Sequence, residues 1–350
     1  MQTTERRYDI DWVRVIAIGL LIFYHISIAF QPWGIFLQFI QSDKPIESLW
    51  IPMSLLNIWR IPLLFFVSGM GVSFAIRKRS WKQLILERSR RILIPFVFGI
   101  GCIVPLHYLL WQKYYNQDIT YVFHPSHLWF LGNIFIYVMV LSPLFFYLKL
   151  KEKGRVQLFL SKLFRTPLGL LIIVAAMVLE VMLIRPETYE TYSLTLHGFL
   201  LGLLAFLFGF MGVQSGPAFW NTVKKWRWIL FILAVGLFLV RNYVFELNSP
   251  NYLKAIESCS WIFAVFGFAY RHLNRPGTTL SYLSQAAYPV YILHMLFLYL
   301  GSSLILPMEI SPGLRFFLVV TFTALGCFTS FELLKKVGIL RILFGLKPKP

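Results

Sequence analysis

The chain has 350 residues, of which 58% are hydrophobic, 18% aromatic and only 14% charged, and its net charge is +18. Soluble domains carry about 25% charged residues, so a soluble globular chain is excluded. The mean hydropathy is +0.68, and apolar stretches of about 20 residues, the length that crosses a bilayer, recur along the chain.

In chain order these stretches predict ten membrane helices, an all-α bundle forming one domain over residues 1–350. In lipid each backbone polar group must be satisfied within the segment, so stretches of this length are helices. The first, 12–31, follows "MQTTERRYDIDW" and lacks a small-residue cleavage site, so it reads as a retained helix. It carries Arg14 and His25. The second, 52–76, holds Arg60 in "WRIPLLFFVSG". A basic run, "RKRSWKQLILERSRR", leads to the third, 92–112. The fourth, 127–148, starts in "SHLWFL" with His127 and Trp129. Then come 168–185 with Glu180, 196–213, 228–247, 252–270 with Glu257, 279–300 with His294, and 314–334 with Glu332. Cys102, Cys259 and Cys327 lie in apolar stretches at no metal-site spacing and read as small core residues. No metal is expected.

With the N-terminus in the cytoplasm, 25 of the 33 Lys and Arg fall on the cytoplasmic side, against six in the outer loops and helix ends. This bias places both termini inside. It also accounts for most of the net charge, which removes nucleic acid as a partner and leaves the lipid bilayer. No loop is long enough to fold alone, so function lies between the helices or at their mouths.

Charged groups inside a span cost about 2.5–3.5 kcal/mol on insertion scales and mark functional paths. At about 1.5 Å rise per residue, His25, Arg60, His294 and Glu180 lie about 18–24 Å from the inner ends of their helices. Arg14 and Glu332 lie near the inner face. Arg14 and His25 are eleven residues apart, which sets them about 20° apart in azimuth and about 16 Å apart along the axis. A ligand touching both is long and threads the bundle. Plainer roles also fit. Arg14 can snorkel to headgroups, a lone His can join helices, and Arg60 can pair with Glu180 or Glu257. The basic run can serve topology and lipid contact.

Together these segments resemble acyltransferase family 3 of integral membrane proteins, and within it the glucans biosynthesis protein C group, associated with succinylation of periplasmic glucans. The R-x10-H pattern is Arg14 and His25, and R-x-x-R is Arg88 and Arg91 in "ERSRRILIPF". "WRIPLLFFVSG", "SHLWFL", "YLSQAAYPVYILH" and "FELLKKVGILRILFGLKP" are similar to family segments in the same order, with Glu332 in place of a late-helix glutamate.

The resemblance implies a multi-pass protein of the bacterial cytoplasmic (inner) membrane. It implies an O-acyltransferase that moves a succinyl or acetyl group from cytoplasmic acyl-CoA to a hydroxyl of an extracytoplasmic carbohydrate. His25 is the expected base, or alternatively an acylated intermediate. Arg14, Arg88 and Arg91 are expected to hold the nucleotide phosphates. Arg60 or His294 would stabilise the oxyanion, and Arg60 could instead hold a succinyl carboxylate. His127, Trp129, His294 and Glu180 are expected on the acceptor side. A proton-coupled secondary transporter or a glycan flippase is the competing reading, because mid-membrane Arg, His and Glu with proline-bent helices suit one.

Overall fold

The computed structural model describes residues 6–150 and 154–347, which are all-helical with no strand. In chain order the helices are α1 (Tyr8–Ile28), α2 (Trp50–Asn57), α3 (Arg60–Ile76), α4 (Trp81–Arg88), α5 (Ile94–Phe98), α6 (Val104–Tyr114), α7 (Trp129–Leu150) and α8 (Arg155–Leu163). There follow α9 (Leu168–Ile184), α10 (Leu196–Gln214), α11 (Pro217–Tyr243), α12 (Asn251–His272), α13 (Thr278–Ile305), α14 (Pro312–Leu334) and α15 (Gly338–Leu343). Eight runs among the described residues are long and apolar enough to cross a membrane. The pair α8 and α9, bent by 92° at its break, makes a ninth if it acts as one span.

Two of the ten expected stretches take bounds that differ from those read in the sequence. Helix α9 has 17 residues, about 26 Å of rise against a hydrocarbon core of about 30 Å. Helix α11 is not the apolar 228–247. It starts at Pro217, just after Gly216 at φ 67°, and runs through Lys224, Lys225 and Arg227 before ending at Tyr243. Beyond it, Glu246 and Leu247 both take positive φ and turn the chain. One further correction concerns Cys102, which is exposed, while Cys259 and Cys327 are buried.

Prolines explain where other expected spans are broken. Pro lacks an N–H, and its ring clashes with the carbonyl four residues earlier. The expected 52–76 splits at Ile58 and Trp59, four and three residues before Pro62. The Ile58 carbonyl so released accepts from Tyr192 Oη at 2.9 Å and Ser258 Oγ at 2.9 Å. The expected 92–112 belongs to a longer run, Trp81–Tyr114. Two π-helical segments interrupt it, Ser89–Leu93 and Gly99–Ile103. Each lies just before a proline, Pro95 or Pro105, and such bulges are frequent at functional sites.

The chain divides into two compact units. The first comprises Met1–Ala17, Leu55–Leu86 and Asn133–Ser281; the second comprises Ile18–Ser54, Glu87–Gly132 and Tyr282–Pro350. In the first unit α3 and α10 approach backbone to backbone. A Cβ on Gly69 would lie 1.9 Å from the Phe206 carbonyl oxygen, and one on Gly209 would lie 2.0 Å from that of Phe66. Small residues allow this close packing where lipid supplies no hydrophobic drive between helices. Gly209→Ala is expected to cost about 1–3 kcal/mol or more as overpacking, read as a lower midpoint in detergent-unfolding titration. Gly236→Ala on α11 meets nothing within 4 Å and should leave the midpoint unchanged or slightly higher.

In the second unit, α1 ends at Ile28 rather than 31, and the next carbonyls are taken by the following loop. Ser42 N–H donates to Ala29 O and Ile46 N–H to Phe30 O, both at 2.8 Å. Gly34 lets that loop close, because a Cβ there would be 2.4 Å from the Ile28 carbonyl oxygen. A core of Phe30, Phe39, Met295, Leu298, Tyr299 and Val319 fills the space between α1, α13 and α14. At the other end of this unit, Phe344 packs on Phe98 with centroids 5.5 Å apart.

Candidate active site

The second unit gathers four histidines from four separate elements. His25 comes from α1, His107 from α6, His127 from the 3-10 turn Ser126–Leu128, and His294 from α13. His25 Nδ1 and His294 Nε2 are 2.8 Å apart, and their rings are nearly coplanar at 5°. The His294 ring lies 5.0 Å from that of His127, which in turn lies 5.8 Å from that of His107. His107 and His294 are fully buried.

Backbone carbonyls decide the tautomers, because a carbonyl only accepts. His294 Nδ1 is 2.6 Å from Tyr291 O, so Nδ1 carries the hydrogen. The neutral ring then has its lone pair on Nε2. His25 Nδ1–H donates to that lone pair, which leaves the His25 lone pair on Nε2. By the same argument, His127 Nε2–H donates to Ile292 O at 3.1 Å, and its Nδ1 is an acceptor. Both carbonyls lie on α13, within one turn after its internal Pro289, so a single helix backbone orients two imidazoles.

Neighbouring groups hold this arrangement. Tyr291 Oη donates to the His127 carbonyl. Ser126 takes a left-handed φ of 44°, and its N–H donates to His124 Nδ1 at 3.0 Å. Its Oγ lies 3.4 Å from His107 Nε2. Phe39 and Tyr299 cover the pair from one side, with centroids 6.1 Å between Phe39 and His25 and 5.7 Å between Phe39 and Tyr299. A histidine dyad with one fixed lone pair, in apolar surroundings, is an arrangement for taking and returning a proton.

The acyltransferase domain, as a family model, matches residues 7–332. The chain belongs to acyltransferase family 3. Neither the curated proteins nor the solved structures contain a match. It is a membrane-embedded acyltransferase, and the remaining expected residues can be placed with that in view.

Arg88 and Arg91 stand in the second unit, at and inside the first π segment. Glu87 lies beside both guanidinium groups, 3.1 Å from Arg91 and 3.8 Å from Arg88. Gly345, at φ 69°, passes against the Arg91 carbonyl and the Tyr288 ring, where a Cβ would meet atoms at 2.9 and 2.5 Å. Trp129 is buried at the start of α7, next to Phe130. Glu332 bonds Lys335 at 2.6 Å.

Arg14, Arg60 and Glu180 belong to the first unit of this acyltransferase. Arg14 pairs with Asp11 at 2.9 Å, one turn earlier on α1. Arg60 is buried at the first position of α3, directly after the proline-induced break. Glu180 is held by His197 Nδ1 at 3.0 Å, and His197 Nε2–H donates to Tyr189 O at 3.0 Å. Glu257 is bound by Arg241. Both carboxylates considered as partners for Arg60 thus have other, buried partners.

Sequence reasoning missed His107, Tyr291 and His197. His107 sits in "VPLHYLLW" near the predicted outer end of a span, where a histidine passes for an interfacial residue. A helical-phase comparison offers a signal, since His107 and Tyr114 are seven residues apart and share one face of α6.

Proposed function

We propose that this acyltransferase moves an acyl group, succinyl or acetyl, from cytoplasmic acyl-CoA to a hydroxyl of an extracytoplasmic carbohydrate such as a glucan, in the bacterial inner membrane. The observation that carries the chemical part is the His25–His294 dyad with its lone pair on His25 Nε2. The acceptor hydroxyl gives its proton to His25 Nε2 as its oxygen bonds to the thioester carbonyl carbon. The C–S bond then breaks, and the thiolate takes that proton back from His25. His294 shares the transient positive charge through the 2.8 Å hydrogen bond, while Tyr291 O keeps its ring in place.

The donor's anionic end suits Arg88 and Arg91, because guanidinium groups grip phosphates bidentately. Glu87 beside them keeps the two groups ordered before the donor arrives. The roles expected of Arg14, Arg60 and Glu180, and the identity of the acyl group and acceptor, rest on the resemblance alone.

Sealed inside-out vesicles test the reading. With succinyl-CoA or acetyl-CoA outside and a glucose oligosaccharide inside, each acyl-CoA consumed should appear as one acylated sugar. Movement of intact solute without acyl-CoA consumption would establish the transporter or flippase reading instead. In the same vesicles, Arg88→Ala with Arg91→Ala should raise the donor KM about tenfold or more, as charge-assisted hydrogen bonds are worth about 1.5–3 kcal/mol each. An unchanged donor KM with unchanged salt dependence would remove the phosphate role.

A further inference from the structure

The second unit also contains a cavity of about 850 Å³, on the side that the positive-inside count assigns outward. Tyr114 and Tyr115 from the end of α6 line it, with Gln41 and Ser42 from the loop after α1. Its charged residues are Asp43, Lys44, Glu309 and Arg315, two of each sign. Asp43 and Arg315 form an ion pair. The hydrogen bond from Arg315 holds the Asp43 carboxyl below the usual carboxylate range, so the pair stays charged and mutually neutralised.

A lining without net charge gives no Coulombic preference for an ion. Its aromatic faces and alternating donors and acceptors suit rings that carry many hydroxyls. Below the cavity the unit is largely apolar, yet several buried polar atoms there have no hydrogen-bond partner among the described residues, four of them on the side toward the dyad. They are Trp111 Nε1, Ser302 Oγ, His107 Nδ1 and His127 Nδ1.

Their positions descend from the cavity to the dyad. Trp111 lies one turn below the cavity-lining Tyr115 on α6, and His107 one turn below Trp111. On α13, Ser302 lies one turn below the cavity-lining Leu306 and eight residues, about 12 Å, above His294. Buried polar groups are rarely left unpaired, and each exception asks for an explanation. His127 Nδ1 is particular, since its tautomer makes it an acceptor that only an incoming O–H or N–H can satisfy.

We propose that this cavity receives a neutral polyhydroxylated molecule, a sugar or short sugar oligomer, and that its reacting hydroxyl reaches the dyad along these four atoms. The proposal rests on His25 as the base. Phe39 packs toward His25, with ring centroids 6.1 Å apart, two residues before the cavity-lining Gln41. Its carbonyl accepts from Tyr115 Oη at 3.5 Å, and Tyr115 Oη in turn accepts from Gln41 N–H at 3.0 Å. The preceding Gln38 is in the left-handed region at φ 61°, held there by Tyr299 Oη donating to its carbonyl at 2.7 Å. Positive φ in a non-glycine residue persists where its surroundings enforce it, and here the enforcing groups border the passage.

Two measurements on the full chain in lipid nanodiscs test this. In the first, Ile35→Cys, an exposed cavity-lining position, is alkylated in a Cys102→Ser background. A neutral glucose trisaccharide at about twice its Kd should slow labelling about threefold by mass action. A glucuronic acid trimer at the same concentration should protect much less. No protection by the neutral sugar, or equal protection by the charged one, would overturn the cavity assignment whatever the activity. In the second, Trp111→Phe and Ser302→Ala should each raise the acceptor KM about tenfold, a loss of about 1.4 kcal/mol in binding, with the donor KM unmoved. If both acceptor KM values stay at wild type, the passage is wrong. Sugar protection in a wild-type protein that transfers no acyl group would instead sink the role of His25 and leave the cavity standing.

Discussion

His25→Ala is expected to lower acyl transfer by about 10²–10⁴-fold, the range that a positioned general base supplies. The protein should still insert and fold, because α1 keeps its apolar length. Alanine removes both the lone pair proposed to take the acceptor's proton and the Nδ1–H that engages His294. His294→Asn separates these two effects. It leaves His25 present but removes the acceptor that selects its tautomer, so a smaller loss is expected, with a changed pH–rate profile. The measurement is the rate of acylated sugar formation at saturating donor. A His25→Ala rate within a few-fold of wild type would show that the base lies elsewhere.

The second large effect concerns stability. Glu257→Ala should destabilise the protein by about 3–5 kcal/mol, the cost of leaving a buried charge without its partner. Arg241 and Glu257 are 2% and 1% exposed, with bonds of 2.7 and 3.0 Å, so removal of the carboxylate strands a guanidinium away from water. Replacing both, as Arg241→Met with Glu257→Leu, should recover most of the loss, since an apolar pair of similar volume is often as stable as a buried ion pair. Detergent-unfolding midpoints for the two variants check this. Equal destabilisation by single and double variants would mean that packing, not charge, sets the cost.

Much of this architecture is legible in the sequence. Hydropathy marks the helices because lipid leaves the backbone no other solution. Counting residues from helix ends puts His25 and His294 at one depth, and in the structure their rings are hydrogen-bonded. Partners that depend on tertiary packing are not legible. Glu180 and Glu257 are equivalent candidates for Arg60 in sequence, yet His197 and Arg241 hold them. His197 opens α10 and Arg241 closes α11, and neither position draws notice by depth. The prolines were visible as bends. What they release was not, because the receiver of a freed carbonyl, such as Ser258 for Ile58, sits 200 residues away.

The two π segments in Trp81–Tyr114 have a bearing on how this helix tolerates insertion and deletion. They lie between Arg88, the cation proposed to meet the donor, and His107, a histidine of the quartet. An α-helix turns about 100° per residue, so each π segment offsets the phase of everything before it against everything after it. Deleting one residue inside Gly99–Ile103 would let the backbone relax to uniform α-geometry with few hydrogen bonds lost. The same deletion would rotate everything before the segment by about 100° relative to everything after it, Arg88 relative to His107 included. Length changes that the fold accepts would thus still alter how Arg88 and His107 face each other, so a one-residue deletion there is expected to lower acyl transfer while the protein stays folded.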